Sequence, residues 1–327
     1  MDKRVSSLKR GLRGLITIPA DKSISHRAVM LSAIAKGKSY IRNFLYAADC
    51  RSTVAVFKSL GVDIQFIDNN TLSVFSTGLL KNASSILDCG NSGTTMRLVS
   101  GILAGQNFNS VLVGDASLSK RPMKRIITPL SLMGAKIQAN DNKAPLKIIG
   151  TQLSGIKYES PIASAQVKSS ILLAGMHAEG ETILKEPYLS RNHTEIMLKY
   201  MGADINFNDN MVSIKKSFLE GREIDVAGDI SSAAFFIVAA FIVPYSDITI
   251  KNVGLNPTRT GIIDVVKKMG GNIEILDKRN ISGETVGDIR VKYSSLNACE
   301  INGSDIPRLI DELPIIVLLA SQAEGQT

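Results

Sequence analysis

Met201-Gly202-Ala203-Asp204-Ile205 has three near copies in the same chain: Leu60-Gly61-Val62-Asp63-Ile64, Met133-Gly134-Ala135-Lys136-Ile137 and Met269-Gly270-Gly271-Asn272-Ile273. Their glycines lie 73, 68 and 68 residues apart. An amphipathic run such as Thr194–Tyr200 precedes each copy, and an alternating run such as Ala203–Asp209 follows it. That order predicts a helix closed by glycine and followed by a strand. A period of about 70 residues exceeds an ordinary solenoid repeat and holds two helices and several strands. A few copies therefore build a domain, and the fold class is a repeated α/β unit.

The first half of each unit is similar too. A small, polar turn runs into a long apolar helix at 22–37, 90–105, 163–180 and 228–243. A fifth start, at Asp305, runs to the chain end at Thr327, where earlier copies enter their next strand. The chain is accordingly expected to be part of a longer protein. Three complete units predict one domain over 21–222. The strand-like Gly14–Ala20 precedes the first unit, so 1–20 is expected to join 223–327 in a second, incomplete domain. Polar residues at the two crossings are expected to face an interdomain cleft, a favoured place for ligands.

Of 327 residues, 44% are hydrophobic, enough for two cores. The longest apolar run, 233–243, is too short to span a bilayer. The basic amino terminus lacks the apolar core of a secretory signal, so the expected location is the cytoplasm. Cys50, Cys89 and Cys299 are scattered and form no CxxC pair, which argues against a disulfide framework or a zinc site. A net charge of +8 invites a nucleic-acid reading, but aromatics make up only 5% and the cations form no long runs. A small polyanionic substrate explains the excess as well.

Candidate chemistry sits at the helix starts. Lys22, Ser23, His26 and Arg27 fall within about one turn, with Lys22/His26 and Ser23/Arg27 each sharing a face. Free backbone N–H groups at a helix start attract anions, and these cations reinforce the attraction. Gly90–Thr95 packs small residues where backbone approaches something closely. In the basic cluster Lys120–Arg125, Pro122 is placed to open a helix. Ser164–Lys168 and Ser190–His193 again combine hydroxyl, amide and cation. Any one of these clusters reads equally as capping or as a solvated loop; five of them, spread over the repeats, read as a site. Asp311 lies in the apolar stretch 309–320, where desolvation is expected to raise its pKa towards a general base's range. The competing reading is an exposed first-turn acid favoured by the helix dipole.

PADKSISHR, GNSGTTMR, KRPM, SAQVKSS, SRNHTE, GDISSAAFF, NPTR and IDELP occur here in that order. Together they resemble the 5-enolpyruvylshikimate-3-phosphate (EPSP) synthases over essentially the whole chain. SAQVK, RNHTE and NPTR resemble the bacterial subgroup often tolerant of glyphosate, while Ala20 stands where the family usually has Gly. The resemblance implies six βαβαββ units in two domains, with about one and a half units missing. It implies transfer of an enolpyruvyl group from phosphoenolpyruvate to shikimate 3-phosphate, on the route to chorismate and aromatic amino acids. It calls for no cofactor and no metal, and for no partner beyond the two small substrates: no nucleic acid, no membrane, a monomer.

By the same resemblance, Lys22, Ser23, Arg27, Ser164, Gln166, Arg191 and Asp311 would bind shikimate 3-phosphate. Lys22, Gly93, Arg121 and Gln166 would bind phosphoenolpyruvate. Asp311 and Lys22 would be catalytic, Asp311 taking the proton of the 5-hydroxyl. Ala165 replaces a serine of some relatives and removes one phosphate contact. The family's later Lys-Glu-(Ser/Thr)-Asp-Arg and His-Arg segments have no counterpart before Thr327, so this chain alone is expected not to turn over. Two alternatives stand beside this reading. UDP-N-acetylglucosamine enolpyruvyl transferase carries a reactive cysteine in the loop matching 114–123, where this chain has none. A nucleic-acid-binding protein built from similar repeats is the other.

Overall fold

A computed structural model describes residues 10–303 and 305–327; Met1–Lys9 of the basic amino-terminal stretch and Ser304 lie outside the described residues. The chain divides into two compact units. One is Lys22–Val226; the other combines the described residues up to Asp21 with Ala227–Thr327.

In chain order, β1 (Arg13–Thr17) precedes α1 (Lys22–Ile34), β2 (Ala35–Arg42), α2 (Ala48–Ser59), β3 (Asp63–Phe66) and β4 (Leu72–Thr77). The second repeat supplies β5 (Leu87–Asp88), α3 (Gly93–Ala104), β6 (Ser110–Val113), α4 (Lys124–Leu132), β7 (Lys136–Asn140) and β8 (Lys143–Ile149). The third supplies β9 (Lys157–Glu159), α5 (Ala165–Gly175), β10 (Glu181–Lys185), α6 (His193–Tyr200), β11 (Ile205–Asn208) and β12 (Met211–Lys215). Then come β13 (Leu219–Glu220), β14 (Glu223–Asp225), α7 (Ile230–Ile242), β15 (Asp247–Gly254), α8 (Gly261–Lys268), β16 (Asn272–Ile281) and β17 (Glu284–Lys292). A 3-10 turn at Ile306–Arg308 leads to α9 (Leu313–Ala320).

One pairing rule generates every sheet. β5 runs parallel to β6, β6 pairs antiparallel with β8, and β8 antiparallel with β7. The order β9-β10-β12-β11 repeats it. β13 and β14 run parallel to β2, whose sheet continues through β4 to β3. In the other unit the order is β1-β15-β17-β16, with β1 parallel to β15. The first strand of the chain thus enters the fourth repeat's sheet, and strands that follow the third repeat complete the first repeat's sheet.

The recurring glycines carry out the turn that the sequence predicts. Gly61, Gly134, Gly202 and Gly270 have φ of +83°, +95°, +99° and +80°, a region that side chains with a Cβ rarely adopt. The same double hydrogen bond closes all four helices. In α6, the Gly202 N–H donates to Lys199 C=O at 3.2 Å, and the Ala203 N–H to Leu198 C=O at 2.9 Å. Gly61/Val62, Gly134/Ala135 and Gly270/Gly271 repeat it. Otherwise orphaned carbonyls at the helix end are satisfied, and the chain leaves at the angle the next strand needs.

In the Lys22–Val226 unit, α1 has no solvent face: eleven of its 13 residues are buried. α3 and α5 approach so closely that a Cβ on Gly101 would stand 2.1 Å from the Ser170 carbonyl oxygen. The other unit gathers Ile237, Phe241, Ile250, Ile262, Ile289 and Leu319, among others, into its own core. It leaves Phe235 and Phe236 of α7 and Val317 and Leu318 of α9 exposed. Pro122 does not open a helix: α4 begins two residues later, at Lys124, with Met123 at its N-cap.

Two glycine substitutions separate the two constraints. A Cβ at Gly202 meets nothing within 4 Å, so Gly202→Ala costs only the strained φ, about 1–2 kcal/mol of unfolding free energy. Gly101→Ala drives a methyl into backbone and is expected to cost more than Gly202→Ala in denaturant titration. Equal or absent losses would contradict this assignment.

Candidate active site

The first turns of α1, α3, α5 and α6 are tied together by side chains from four separate stretches of sequence. Arg27 is 4% exposed. Its Nε donates to Thr194 Oγ1 at 2.7 Å, its Nη2 to Ser169 Oγ at 3.0 Å and its Nη1 to the Ser23 carbonyl at 3.0 Å. That one guanidinium joins α1 to α5 and α6, and Ser169 and Thr194 also bond each other at 2.6 Å. A second, buried chain runs from His26 Nδ1 to Thr53 Oγ1, on to Thr95 Oγ1 and then to Ser92 Oγ, each step 2.7 Å. Ser92 also caps α3, accepting the Thr95 N–H at 3.1 Å. Lys22 is half exposed, its Nζ 3.7 Å from Asp49.

Gly93 opens α3, and two guanidiniums flank it. A Cβ built there would lie 2.9 Å from Arg97 Nη1 and 3.3 Å from Arg121 Nη1. Arg121 is steered by Asn91, whose Oδ1 accepts from Nη2 at 2.5 Å. Arg97 Nη1 donates to Gln166 Oε1 at 2.8 Å, while Gln166 Nε2 donates to Thr94 Oγ1 at 3.0 Å. Because a guanidinium only donates, the Gln166 oxygen faces Arg97 and its amide nitrogen faces Thr94. Burial lowers the Arg97 pKa first, and the neighbouring charges of Arg121 and Arg125 lower it further. Like charges crowded on a helix N-terminus make a place for an anion. Gly93 keeps it open.

Ser164 and Arg191 belong to a third cluster. The Ser164 N–H donates to Glu186 Oε1 at 3.1 Å, and Glu186 accepts the Ser190 hydroxyl at 2.6 Å. Lys168 lies between Glu186 and Glu195, at 2.7 and 2.8 Å, and all three are nearly inaccessible to solvent. Burial pushes the Glu195 carboxyl up; Lys168 opposes the shift without cancelling it, and Glu186 adds to it. The Glu195 Oε2 has no hydrogen-bond partner among the described residues.

Asp311 belongs to the other unit, and its surroundings correct the sequence expectation. Asp311 is exposed, not desolvated by the apolar run. The buried residues are Leu309, Glu312, Ile316 and Leu319, spaced three, four and three apart as on one helical face, so the buried carboxylate is Glu312. Glu312 accepts from the Ser231 hydroxyl. Arg259 organises this cluster: it bonds Asp21 at 3.2 Å, Asp229 at 3.1 Å and the Ser231 hydroxyl at 2.7 Å. Burial opposes its charge, but Asp21, Asp229, Glu312 and Asp311 outweigh burial and hold its pKa above the ordinary value.

Lys22, Ser23, Arg27, Gly93, Arg121, Ser164, Gln166 and Arg191 therefore all lie in the Lys22–Val226 unit, at or beside the same helix starts. Among the charged residues of these clusters, Arg97, Glu186, Glu195 and Arg259 were given no role by sequence. Arg97 was detectable, because it stands four residues beyond Gly93 and so above it on α3. Glu186 depends on Ser164 and Lys168, 22 and 18 residues before it, Glu195 on Lys168, 27 before it, and Arg259 on Asp229 and Ser231, 30 and 28 before it, separations that local spacing does not reveal.

Residues 8–327 match the family model for EPSP synthase (3-phosphoshikimate 1-carboxyvinyltransferase). A 3-phosphoshikimate 1-carboxyvinyltransferase of Thermoanaerobacter sp. (strain X514) is 56% identical over 98% of this chain and 76% of its own length. The one from Geotalea uraniireducens (strain Rf4) is 54% identical over 97% and 75%. An EPSP synthase structure from Acinetobacter baumannii superposes with a TM-score of 0.91 at 46% identity, covering 97% of this chain and 74% of that one. The enolpyruvyl transferase NikO from Streptomyces tendae, 17% identical, shares the fold with a TM-score of 0.75, over 97% and 74%.

The raised Glu195 pKa has a stability consequence with a definite sign. A carboxyl whose pKa is higher folded than unfolded stabilises most below its unfolded value, near 4.3 for Glu, and the benefit fades as pH rises through the folded value. Glu195→Gln mimics the protonated form and keeps an oxygen for Lys168. It is expected to unfold at neutral pH no more easily than the unsubstituted chain and to lose less stability as pH rises. A marked loss in Glu195→Gln would show that the carboxylate is the form the fold needs.

Proposed function

The chain belongs to the EPSP synthase family, and on that premise we propose how its own residues carry the family's reaction. The enolpyruvyl group of phosphoenolpyruvate is transferred to the 5-hydroxyl of shikimate 3-phosphate. The hydroxyl oxygen forms a bond to C2 of phosphoenolpyruvate while C3 takes a proton and the hydroxyl loses its own. The tetrahedral adduct then breaks its C2–O bond to phosphate as C3 gives up a proton, restoring the double bond and leaving an enolpyruvyl ether.

Shikimate 3-phosphate is assigned to Lys22, Ser23, Arg27, Ser164, Gln166 and Arg191, and phosphoenolpyruvate to Lys22, Gly93, Arg121 and Gln166. The observation that carries this assignment is the pair of guanidiniums, Arg97 and Arg121, within 3.3 Å of a Cβ position at the start of α3. A permanently charged, forked donor is the natural partner for phosphate or carboxylate. Gln166 is held by both of its ends, since Arg97 occupies its oxygen and Thr94 one amide hydrogen, and its second amide hydrogen is the one assigned to the substrates. Asp311, exposed in this chain, is the proposed acceptor of the 5-hydroxyl proton. Lys22 is proposed to stabilise charge on the adduct.

Within the family we place the chain in the bacterial subgroup often tolerant of glyphosate, on the motifs Ser164–Lys168, Arg191–Glu195 and Asn256–Arg259. Tight displacement of phosphoenolpyruvate by glyphosate would exclude that placement. Membership of the family disfavours both a UDP-N-acetylglucosamine substrate and a nucleic-acid-binding role.

The division of substrates is tested by calorimetry on Arg121→Gln. Phosphoenolpyruvate binding in the presence of shikimate 3-phosphate is expected to weaken about tenfold to a hundredfold, the size of a lost charge-assisted hydrogen bond. Affinity for shikimate 3-phosphate alone should be retained. Equal loss for both ligands, or for neither, would sink the assignment.

A further inference from the structure

The buried trio Lys168, Glu186 and Glu195 is assigned to neither substrate above, yet it bonds the backbone of two segments assigned to them. We infer that these three are positioning residues that lock the Ser164 end of one substrate-binding segment to the Ser190 end of the other. The inference rests on the proposed role of Ser164, Gln166 and Arg191 in holding shikimate 3-phosphate.

The bonding is thorough. Lys168 Nζ donates to Glu186 at 2.7 Å, to Glu195 at 2.8 Å and to the Ser190 carbonyl at 3.2 Å, which uses all three of its protons. Glu186 accepts the Ser164 N–H at 3.1 Å, the Ser190 N–H at 3.3 Å and the Ser190 hydroxyl at 2.6 Å. Ser190 is thereby held at its nitrogen, its oxygen and its side chain, one residue before Arg191. Glu186 is itself fixed: its N–H donates to the Asn210 carbonyl at 2.8 Å, and its carbonyl accepts from Asn210 Nδ2 at 2.5 Å.

Stability alone does not explain three buried charges, since apolar residues of similar volume often serve as well or better. Packing does not explain the placement either. A cavity of about 240 Å³ lies against the trio, lined also by Leu189, Asn192 and Phe207. Where side chains leave that much space, the charged bonds hold the backbone. Charge-assisted bonds are short and directional, which suits a fixed ligand geometry.

The test is calorimetric titration of shikimate 3-phosphate into the wild-type chain, Glu186→Gln, Ser190→Ala and Gly134→Ala. Gly134→Ala is a control for general destabilisation, since its methyl meets only Gln152 O at 3.7 Å and its φ is +95°. Glu186→Gln puts an amide against Lys168; Ser190→Ala removes one bond and leaves every charge in place, so a readout survives if the first variant folds poorly. Affinity is expected to fall about tenfold in both, as for a lost charge-assisted hydrogen bond, and to stay at wild-type level in Gly134→Ala. Hydrogen exchange at the Ser164 and Ser190 amides should quicken in Glu186→Gln. Intact wild-type binding with unchanged affinity in both variants, or an equal loss in Gly134→Ala, would overturn the inference alone. Absence of wild-type binding would overturn the reading of the site and the inference with it.

Discussion

Each repeat has to turn from its second helix into an antiparallel hairpin without leaving helix-end carbonyls unpaired, and it does so through one residue in the left-handed region. Gly61, Gly134, Gly202 and Gly270 supply that conformation, and the paired hydrogen bonds around them set the exit direction of the chain. The hairpin that follows lies in the sheet beside the strand that follows the repeat's first helix. The starts of α1, α3 and α5, equivalent points in three successive repeats, are linked by side-chain bonds through His26, Thr53, Thr95, Arg27 and Gln166. The site is thus a consequence of repetition: three helix N-termini are presented by the same local geometry used three times.

That arrangement carries an electrostatic cost. Helix starts already bear partial positive charge, and the sequence adds Lys22, Arg27, Arg97 and Arg121 there. Arg97 shows the crowding most clearly, with burial and two neighbouring arginines all acting against its charge. Neutral acceptors such as Ser169, Thr194 and Gln166 keep the guanidiniums oriented without neutralising them. Lys22 lies 3.7 Å from the Asp49 carboxylate, and deeper in Lys168 is matched by two carboxylates.

Much of this was legible in the sequence because it is local. A positive φ selects glycine, so four glycines at regular spacing announced four helix ends, and the apolar periodicity on either side announced what they join. The helix starts were legible for the same reason. Arg259, Glu186 and Glu195 were not, since each acquires its meaning from a charged partner 18 or more residues away. Asp311 was misread through phase: the apolar run around it buries every third or fourth residue, and that face contains Glu312. The strands β13 and β14 that complete the sheet of β2 also come from a distant stretch, and sequence similarity alone does not specify that exchange.

The most direct test of the central claim, that these converging helix starts form a site for shikimate 3-phosphate, is the thermal unfolding midpoint with and without that ligand. UDP-N-acetylglucosamine serves as the control. A ligand bound only by the folded chain at a hundred times its dissociation constant stabilises it by about 2.7 kcal/mol. The account predicts an upward shift with shikimate 3-phosphate and none with the control. A cooperative transition that neither ligand moves, or that only the nucleotide sugar raises, would contradict it.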